Sequence, residues 1–517
     1  MIETFEITVP AGRAARPVSS LCLSIWFCTL TACGFLIASE RIAHWFLAPV
    51  WFCGVLMGCD AVDWFRGRVN LFDPVGIIGL LGVHFFFTAP LLHVVWNSWM
   101  LYIDPPPDWR DWLGCMAIVN AIGLVLYRCA KTRAAAWKPS AAEETFWQLS
   151  RDRFLVAAGC GLVVSGVLQI GVYAQYGGIT GFVEAYSESI GLYPGSGALE
   201  NTGWIFTLSE SFPILAIIYF AVFSDRPRSL PAISLVLLGF FVLQMLFGGL
   251  RGSRSTTIWA LFWAAGILHF WTRPLDRKFV FVGLAFVMVF MYLYGFYKEL
   301  GQDAVVAVQK GAKTSELSEK TGRTFDVLLL GDLARADVQA FLLYRLTKPD
   351  RDYQYAWGRT YLGTAAILVP KFFWPARPPT KVKEGTDAQF GTGSWDYDKW
   401  SSSLVYGLAG ETMLNFGPIP VPFAYGIFGF AVGILQRSLY TLRRRDTRLL
   451  LYPFFVNLCF SVLQGDSDNL LFNLIKGGAV PMLVIWLGSH VSTYSKVEEY
   501  DTPAATVLTG ACPLEVR

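Results

Sequence analysis

The sequence predicts an all-α polytopic membrane protein, with about 12 transmembrane helices, both termini cytoplasmic, and one large outward loop between spans 9 and 10. Three observations predict it. The 517-residue chain is 54% hydrophobic and only 16% charged, whereas soluble chains carry about 25% charge. Its apolar residues gather in runs of about twenty, the length that crosses a hydrocarbon core. Every second connection between those runs is basic, while of the short connections between them the first holds Arg41, the third Arg110 and the fifth no Lys or Arg.

The spans are read, in order, as Val18–Ser39, Ile42–Val62, Pro74–Trp96, Trp112–Arg128, Phe154–Tyr173, Trp204–Phe223, Leu230–Leu250, Ser255–Trp271, Lys278–Phe296, Pro420–Gln436, Leu449–Gln464 and Asn469–Ser489. Arg13 and Arg16 precede the first. The even connections hold Arg66 and Arg68; Arg128, Lys131, Arg133, Lys138, Arg151 and Arg153; Arg226 and Arg228; Arg273, Arg277 and Lys278; and Arg437, Arg443, Arg444, Arg445 and Arg448. By the positive-inside rule these face the cytoplasm. The odd connections face outward. The fifth has no Lys or Arg and carries Glu184, Glu188 and Glu200. Arg251 and Arg254, in the seventh, break that pattern.

Residues 1–296 therefore form spans 1–9, 297–417 the large loop with helical segments, 418–489 spans 10–12, and 490–517 a cytoplasmic tail. A loop of this length is too long to be a plain connection. A helix is expected over Gly331–Leu346, where Asp332, Arg335 and Gln339 share a face. No cleavable signal stands out near the N-terminus, and no internal repeat of the kind found in many transporters is visible. Nine of the ten cysteines lie in or beside apolar runs and Cys512 lies in the tail, with no CxxC pair or Cys/His cluster. They read as small apolar residues of helices.

The stretch Phe247 to Thr257 is the first candidate site. Its glycines bend the backbone and expose N–H groups, and Ser253 or Ser255 is placed to cap the following span. A helix N-terminus beside Arg251 and Arg254 makes an anion site; the competing reading is that both arginines snorkel to lipid headgroups. Arg335 reads either as an anion contact or as an ion-pair partner of Asp332. Arg359, Lys371 and Arg377 make the loop basic around a proline-aromatic segment, which suits an anionic substrate or a plain headgroup-facing surface. Glu411 and Asn415 share a helical face, with Gly407 one turn earlier leaving room for a ligand. A carboxylate there could act as a general base or simply pair with a loop arginine.

Other polar residues weigh less. His84 and His93 in span 3 suit packing. Lys476 in span 12 either neutralises a buried acid or snorkels. Asp466 and Asp468 form a weak cation-binding pattern. Nothing matches a P-loop, a dinucleotide fingerprint or a zinc signature, so no metal, cofactor or nucleic-acid partner is expected. Trp357, Trp374, Trp395 and Trp400 suit stacking on sugar rings or a membrane-interface belt.

Four stretches carry a family resemblance. They are Gly248-Gly249-Leu250-Arg251-Gly252-Ser253-Arg254 at the outer end of a span, Phe72-Asp73-Pro74 opening span 3, Pro370 to Pro378 in the large loop, and Gly410 to Gly417 entering span 10. Together they resemble the bacterial oligosaccharide repeat-unit polymerases, the Wzy-type O-antigen and exopolysaccharide polymerases. The resemblance implies a fold like that of C-type membrane glycosyltransferases in the bacterial inner membrane, with the large loop periplasmic. It also implies transfer of a growing glycan from undecaprenyl pyrophosphate to a new lipid-linked repeat unit, without metal or nucleotide sugar, and a possible chain-length regulator as partner. Arg251 and Arg254 would hold the pyrophosphate, with Arg335 and Arg359 as further contacts, and Glu411 would deprotonate the acceptor hydroxyl. Related ligases use a loop histidine, which this loop lacks. A flippase and an O-antigen ligase remain the alternatives.

Overall fold

The computed structural model describes residues 18–100, 103–137, 144–189, 203–224, 229–350, 352–369, 373–374, 376–396 and 404–494. The chain is mostly helical. Among the described residues, nine helices are long and apolar enough to cross a membrane: Ser20–Ala38, Leu47–Phe65, Pro74–Trp96, Trp109–Ala136, Arg151–Gln175, Trp204–Phe223, Leu230–Phe247, Arg277–Leu300 and Ser467–Leu487. Three further helices, Arg254–Trp271, Val421–Thr441 and Tyr452–Gln464, stand where the remaining spans were expected.

Local chemistry sets several helix ends. Asp73 accepts from the Val75 and Gly76 amides at 2.8 and 3.3 Å, with Pro74 behind it, so that helix starts where both the cap and the fixed proline φ favour it. Asp276 caps the Arg277–Leu300 helix in the same way through the Phe279 amide.

The helix pair Trp109–Ala136 and Val421–Thr441 packs closely. A Cβ on Gly429 would lie 2.4 Å from the Tyr127 carbonyl oxygen, and one on Gly433 would lie 2.4 Å from that of Lys131. Small residues four apart thus let two backbones approach, the usual way apolar helices associate in lipid.

Contacts divide the connections into two groups. On one side, Arg277 donates to the Trp64 and Val69 carbonyls, Tyr440 donates to Asp73 at 2.7 Å, and Arg448 donates to the Thr145 carbonyl at 2.7 Å. Here the helical architecture carries one small addition. Strand β1 (Glu144–Leu149) pairs antiparallel with β2 (Ser489–Tyr494), so the predicted tail begins inside a two-stranded ribbon. Alternating Thr, Trp and Leu in β1 suits such a pairing. On the other side, Arg110 donates to the Arg41 carbonyl, Gln302 N–H donates to Ser187, and the large loop meets the turns at 251–254 and 465–467.

The large loop is built of short helices: Gln302–Gln309, Thr314–Thr321, Ala336–Thr347, Arg359–Ala366, Lys381–Phe390 and Gly407–Phe416. The predicted Gly331–Leu346 helix is two pieces. Val327–Asp332 is a π-helical turn, and the α-helix starts only at Ala336. Asp332 and Arg335 are therefore not on one regular face, and Asp332 pairs with Arg254 and Arg323 instead. Two more π-helical turns, His84–Thr88 and Leu474–Gly478, interrupt spans. Such turns widen a helix and re-aim its side chains.

Candidate functional site

The glycine-rich turn is held by tyrosines. Tyr173 donates to the Leu246 carbonyl, Tyr294 to that of Gly249 and Tyr297 to that of Leu250, the last at 2.6 Å. These carbonyls, left over where the Leu230–Phe247 helix ends, gain partners that water cannot supply there. Gly252 has φ +78°, and a Cβ on it would collide with the Tyr186 hydroxyl. Glycine is needed at 252 for both reasons. The following helix starts at Arg254 with no side-chain cap: Ser253 Oγ instead lies 2.5 Å from Thr256 Oγ1. The expected serine cap is absent because that hydroxyl is committed sideways.

Two ion triplets surround this turn. Arg251 pairs with Glu210, which also forms an ion pair with Lys476 Nζ at 2.8 Å. The Arg251 guanidinium lies 3.8 Å above the Phe206 ring. Burial pulls Arg251 down to about 10, so it stays charged at neutral pH. Arg254 pairs with Asp332, whose other oxygen accepts from Arg323 Nη2 at 2.5 Å. Each triplet sets two cations against one carboxylate. Buried charges persist only where partners of opposite sign are arranged around them.

The elements explain the convergence. Glu210 sits in the break between the Gly203–Ser209 and Phe212–Phe223 helices. Lys476 lies on the Leu474–Gly478 π-turn and Asp332 ends the Val327–Asp332 π-turn. Gly295 leaves the space that the Arg323 guanidinium fills. Beside Glu210 and Lys476 lies a cavity of about 50 Å³, also lined by Gln244, Asn457, Ser461 and Asn473. Ile214, Trp259, Trp263 and Phe454 make most of its wall apolar, and these polar groups are set into it. The buried Gln244 Oε1 has no partner among the described residues.

A second cluster lies in the large loop. Glu411 is 3% exposed. Its Oε1 accepts from Thr360 Oγ1 at 2.8 Å and Ser467 Oγ at 2.6 Å, and Oε2 accepts from the Ser467 amide at 2.6 Å. Burial, reinforced by nearby Asp466, raises its pKa to about 7 despite these donors. Asn415 donates to Thr360 Oγ1 at 2.7 Å and accepts from the Gly358 amide at 2.9 Å. Glu411 and Asn415 therefore share a face, as expected. The room expected at Gly407 is taken, because a Cβ there would lie 2.5 Å from the Leu463 carbonyl oxygen. Asp466 is no cation ligand: it pairs with Lys381 and accepts from the Tyr406 and Gly407 amides at 2.9 Å. Among the described residues no group of His, Cys, Asp and Glu is arranged to hold a metal.

The turn at 464–467 joins the clusters. Gln464 donates to the Asp332 carbonyl at 2.6 Å, while Ser467 holds Glu411. Arg335 lies between them. Its Nη1 donates to the Gly331 and Ala334 carbonyls, both at 2.5 Å, and burial lowers its pKa against the pull of Asp466 and Asp332. Arg359 stands apart, half-exposed and gripping Glu384 through Nε at 2.9 Å and Nη2 at 3.2 Å. Arg377 donates to the Val369 carbonyl at 3.3 Å. Lys371 and Trp400 lie outside the described residues. Trp357 is well exposed and Trp374 partly so.

Sequence reasoning missed Glu210 and Arg323. Glu210 was visible in one respect: it is the lone acid in the Trp204–Phe223 run, and an ionisable residue inside a span usually has a partner. Arg323 carries no such signal. His84 and His93 take packing roles, with His84 Nε2 3.0 Å from the Leu329 carbonyl and His93 Nδ1 2.8 Å from that of Ser98. No family model matches this chain, and neither does any curated protein or solved structure.

Proposed function

We propose that this chain polymerises undecaprenyl-pyrophosphate-linked oligosaccharide repeat units into O-antigen or exopolysaccharide at the periplasmic face of a bacterial inner membrane. In this reading it has twelve spans with cytoplasmic termini and works as a metal-independent glycosyltransferase resembling the C type. The observation that carries the reading is the pair of triplets. Arg251, Arg254, Arg323 and Lys476 converge on two carboxylates, leaving positive charge in excess beside an apolar wall. A lipid-linked pyrophosphate offers an anionic head on a long apolar tail, and that setting suits it.

The reaction needs little beyond placement and charge. An acceptor hydroxyl oxygen bonds to the anomeric carbon, the bond from that carbon to the pyrophosphate oxygen breaks, and the hydroxyl proton goes to a base. Undecaprenyl pyrophosphate leaves as the anion, and guanidinium groups stabilise its growing charge. Glu411 is the base this reading nominates, and burial has moved its pKa into the useful range. Because Thr360 and Ser467 occupy its oxygens, the acceptor hydroxyl must replace one of them.

A second reading has its own observation. A mostly apolar cavity with Glu210 and Lys476 in its wall lies among spans, which suits a flippase. Purified protein in vesicles with a synthetic lipid-linked repeat unit separates the two. Polymerisation predicts longer lipid-linked chains and free undecaprenyl pyrophosphate. Substrate movement without chain growth supports the flippase, and transfer only to a lipid A core supports a ligase. Arg251→Ala and Arg254→Ala are each expected to cut polymer formation by roughly 100-fold or more. Full activity in both would remove the pyrophosphate role.

A further inference from the structure

Asp332 differs from Glu210 in one respect that matters for ligand choice. Glu210 is sealed between spans, with a side chain 3% exposed, whereas Asp332 sits on a loop turn with its side chain 15% exposed. Asp332 joins arginines from two separate segments, Arg254 at the start of a helix and Arg323 within the loop. Its carboxylate thus already occupies the position between two guanidinium groups that an incoming anion would take.

An uncovered arginine pair at a membrane edge meets an abundant competitor. Bulk phospholipids present singly charged phosphodiesters, and arginines attract them. A monoanion that displaced Asp332 would exchange one negative charge for another and gain no net attraction. A dianionic pyrophosphate diester would satisfy both guanidinium groups with a charge each and release Asp332 to water.

We propose that Asp332 is a specificity-determining residue, an internal anion that excludes singly charged phosphodiesters and yields to pyrophosphate diesters. The proposal rests on the pyrophosphate-binding reading of this site. Selectivity here is a difference between two affinities, set by what the competitor fails to displace.

The test uses dihexyl pyrophosphate and dihexyl phosphate, matched in their chains and different in charge. Calorimetry on the detergent-purified full chain measures both affinities. Wild type is expected to prefer the pyrophosphate. Asp332→Asn is expected to gain affinity for the phosphate, so that the preference falls by about tenfold. Asp332→Ser gives the same readout should the amide disturb folding, with a cooperative melt as the check. Asp332→Glu keeps the charge and is expected to keep most of the preference. An unchanged preference in both neutral variants overturns the proposal, and so does an equal fall in Asp332→Glu. If Arg254→Ala binds dihexyl pyrophosphate as well as wild type does, the underlying reading fails instead.

Discussion

At Glu411, burial and hydrogen bonding act in opposite directions. Loss of water raises the pKa, while Thr360 and Ser467 donate to the carboxylate and lower it; burial wins and the value reaches about 7 from an ordinary 4.5. The fold therefore favours the protonated form. Its contribution to stability is complete below about 4.5 and is lost as the pH rises through about 7, an effect on the order of 3 kcal/mol. Melting of the wild type should weaken across that interval relative to Glu411→Gln, which has no such group to ionise. Parallel melting curves for the two proteins would show that Glu411 does not titrate this way. The residue scale also shows how partly legible charges resolve. Lys476 stood open between a buried acid and the headgroups, and it neutralises Glu210. Of the two readings of Arg335, the ion pair with Asp332 is not formed: the helix starts at Ala336, and Asp332 reaches Arg254 and Arg323.

Helices followed from hydropathy because lipid leaves the backbone no other partner than itself. Every predicted span falls on helix, although the sixth is broken at Glu210 and the fourth runs longer than expected, Trp109–Ala136. What hydropathy does not encode is how helices pack. Gly429 and Gly433 mark one seam, and nothing in the apolar count around them says which partner they meet. Gly433→Ala places a Cβ against the Lys131 carbonyl oxygen and Ala134 Cβ, and should cost about 1–3 kcal/mol. Gly283→Ala is the control, since no atom lies within 4 Å of its added Cβ. Detergent-based unfolding of both variants reads the difference. Equal stability would mean that the seam is not close-packed. The π-turns were equally hidden, because one extra residue in a turn leaves no mark on composition.

For the whole molecule, the two sets of connections contact one another within each set, as alternating spans require. Orientation in the membrane then follows from charge under the positive-inside rule. Ser315 and Thr441 are exposed and belong to opposite sets. In an otherwise cysteine-free chain, Ser315→Cys should react with an impermeant maleimide on intact cells, and Thr441→Cys only after permeabilisation. The reverse pattern would invert the protein, and labelling of both from one side would break the alternation. The large loop shows why a long connection defeats sequence reading. Its short helices are amphipathic against each other and against the spans, so no single period marks them.

Patterns along the chain established that it is helical and multi-pass, where its apolar runs lie, and that two arginines stand at a glycine-rich turn with a carboxylate and an amide paired on a later helix. These are local properties, written in periodicity and in the cost of charge beside apolar surface. Which acid meets which arginine emerged from the three-dimensional packing alone. Glu210, Lys476 and the Arg323–Asp332 stretch come from three distant segments, and two of them reach the site through π-turns. Ion pairing acts through space at a few ångströms, while sequence patterns act along the chain, so the composition of the site was settled by the packing of helices.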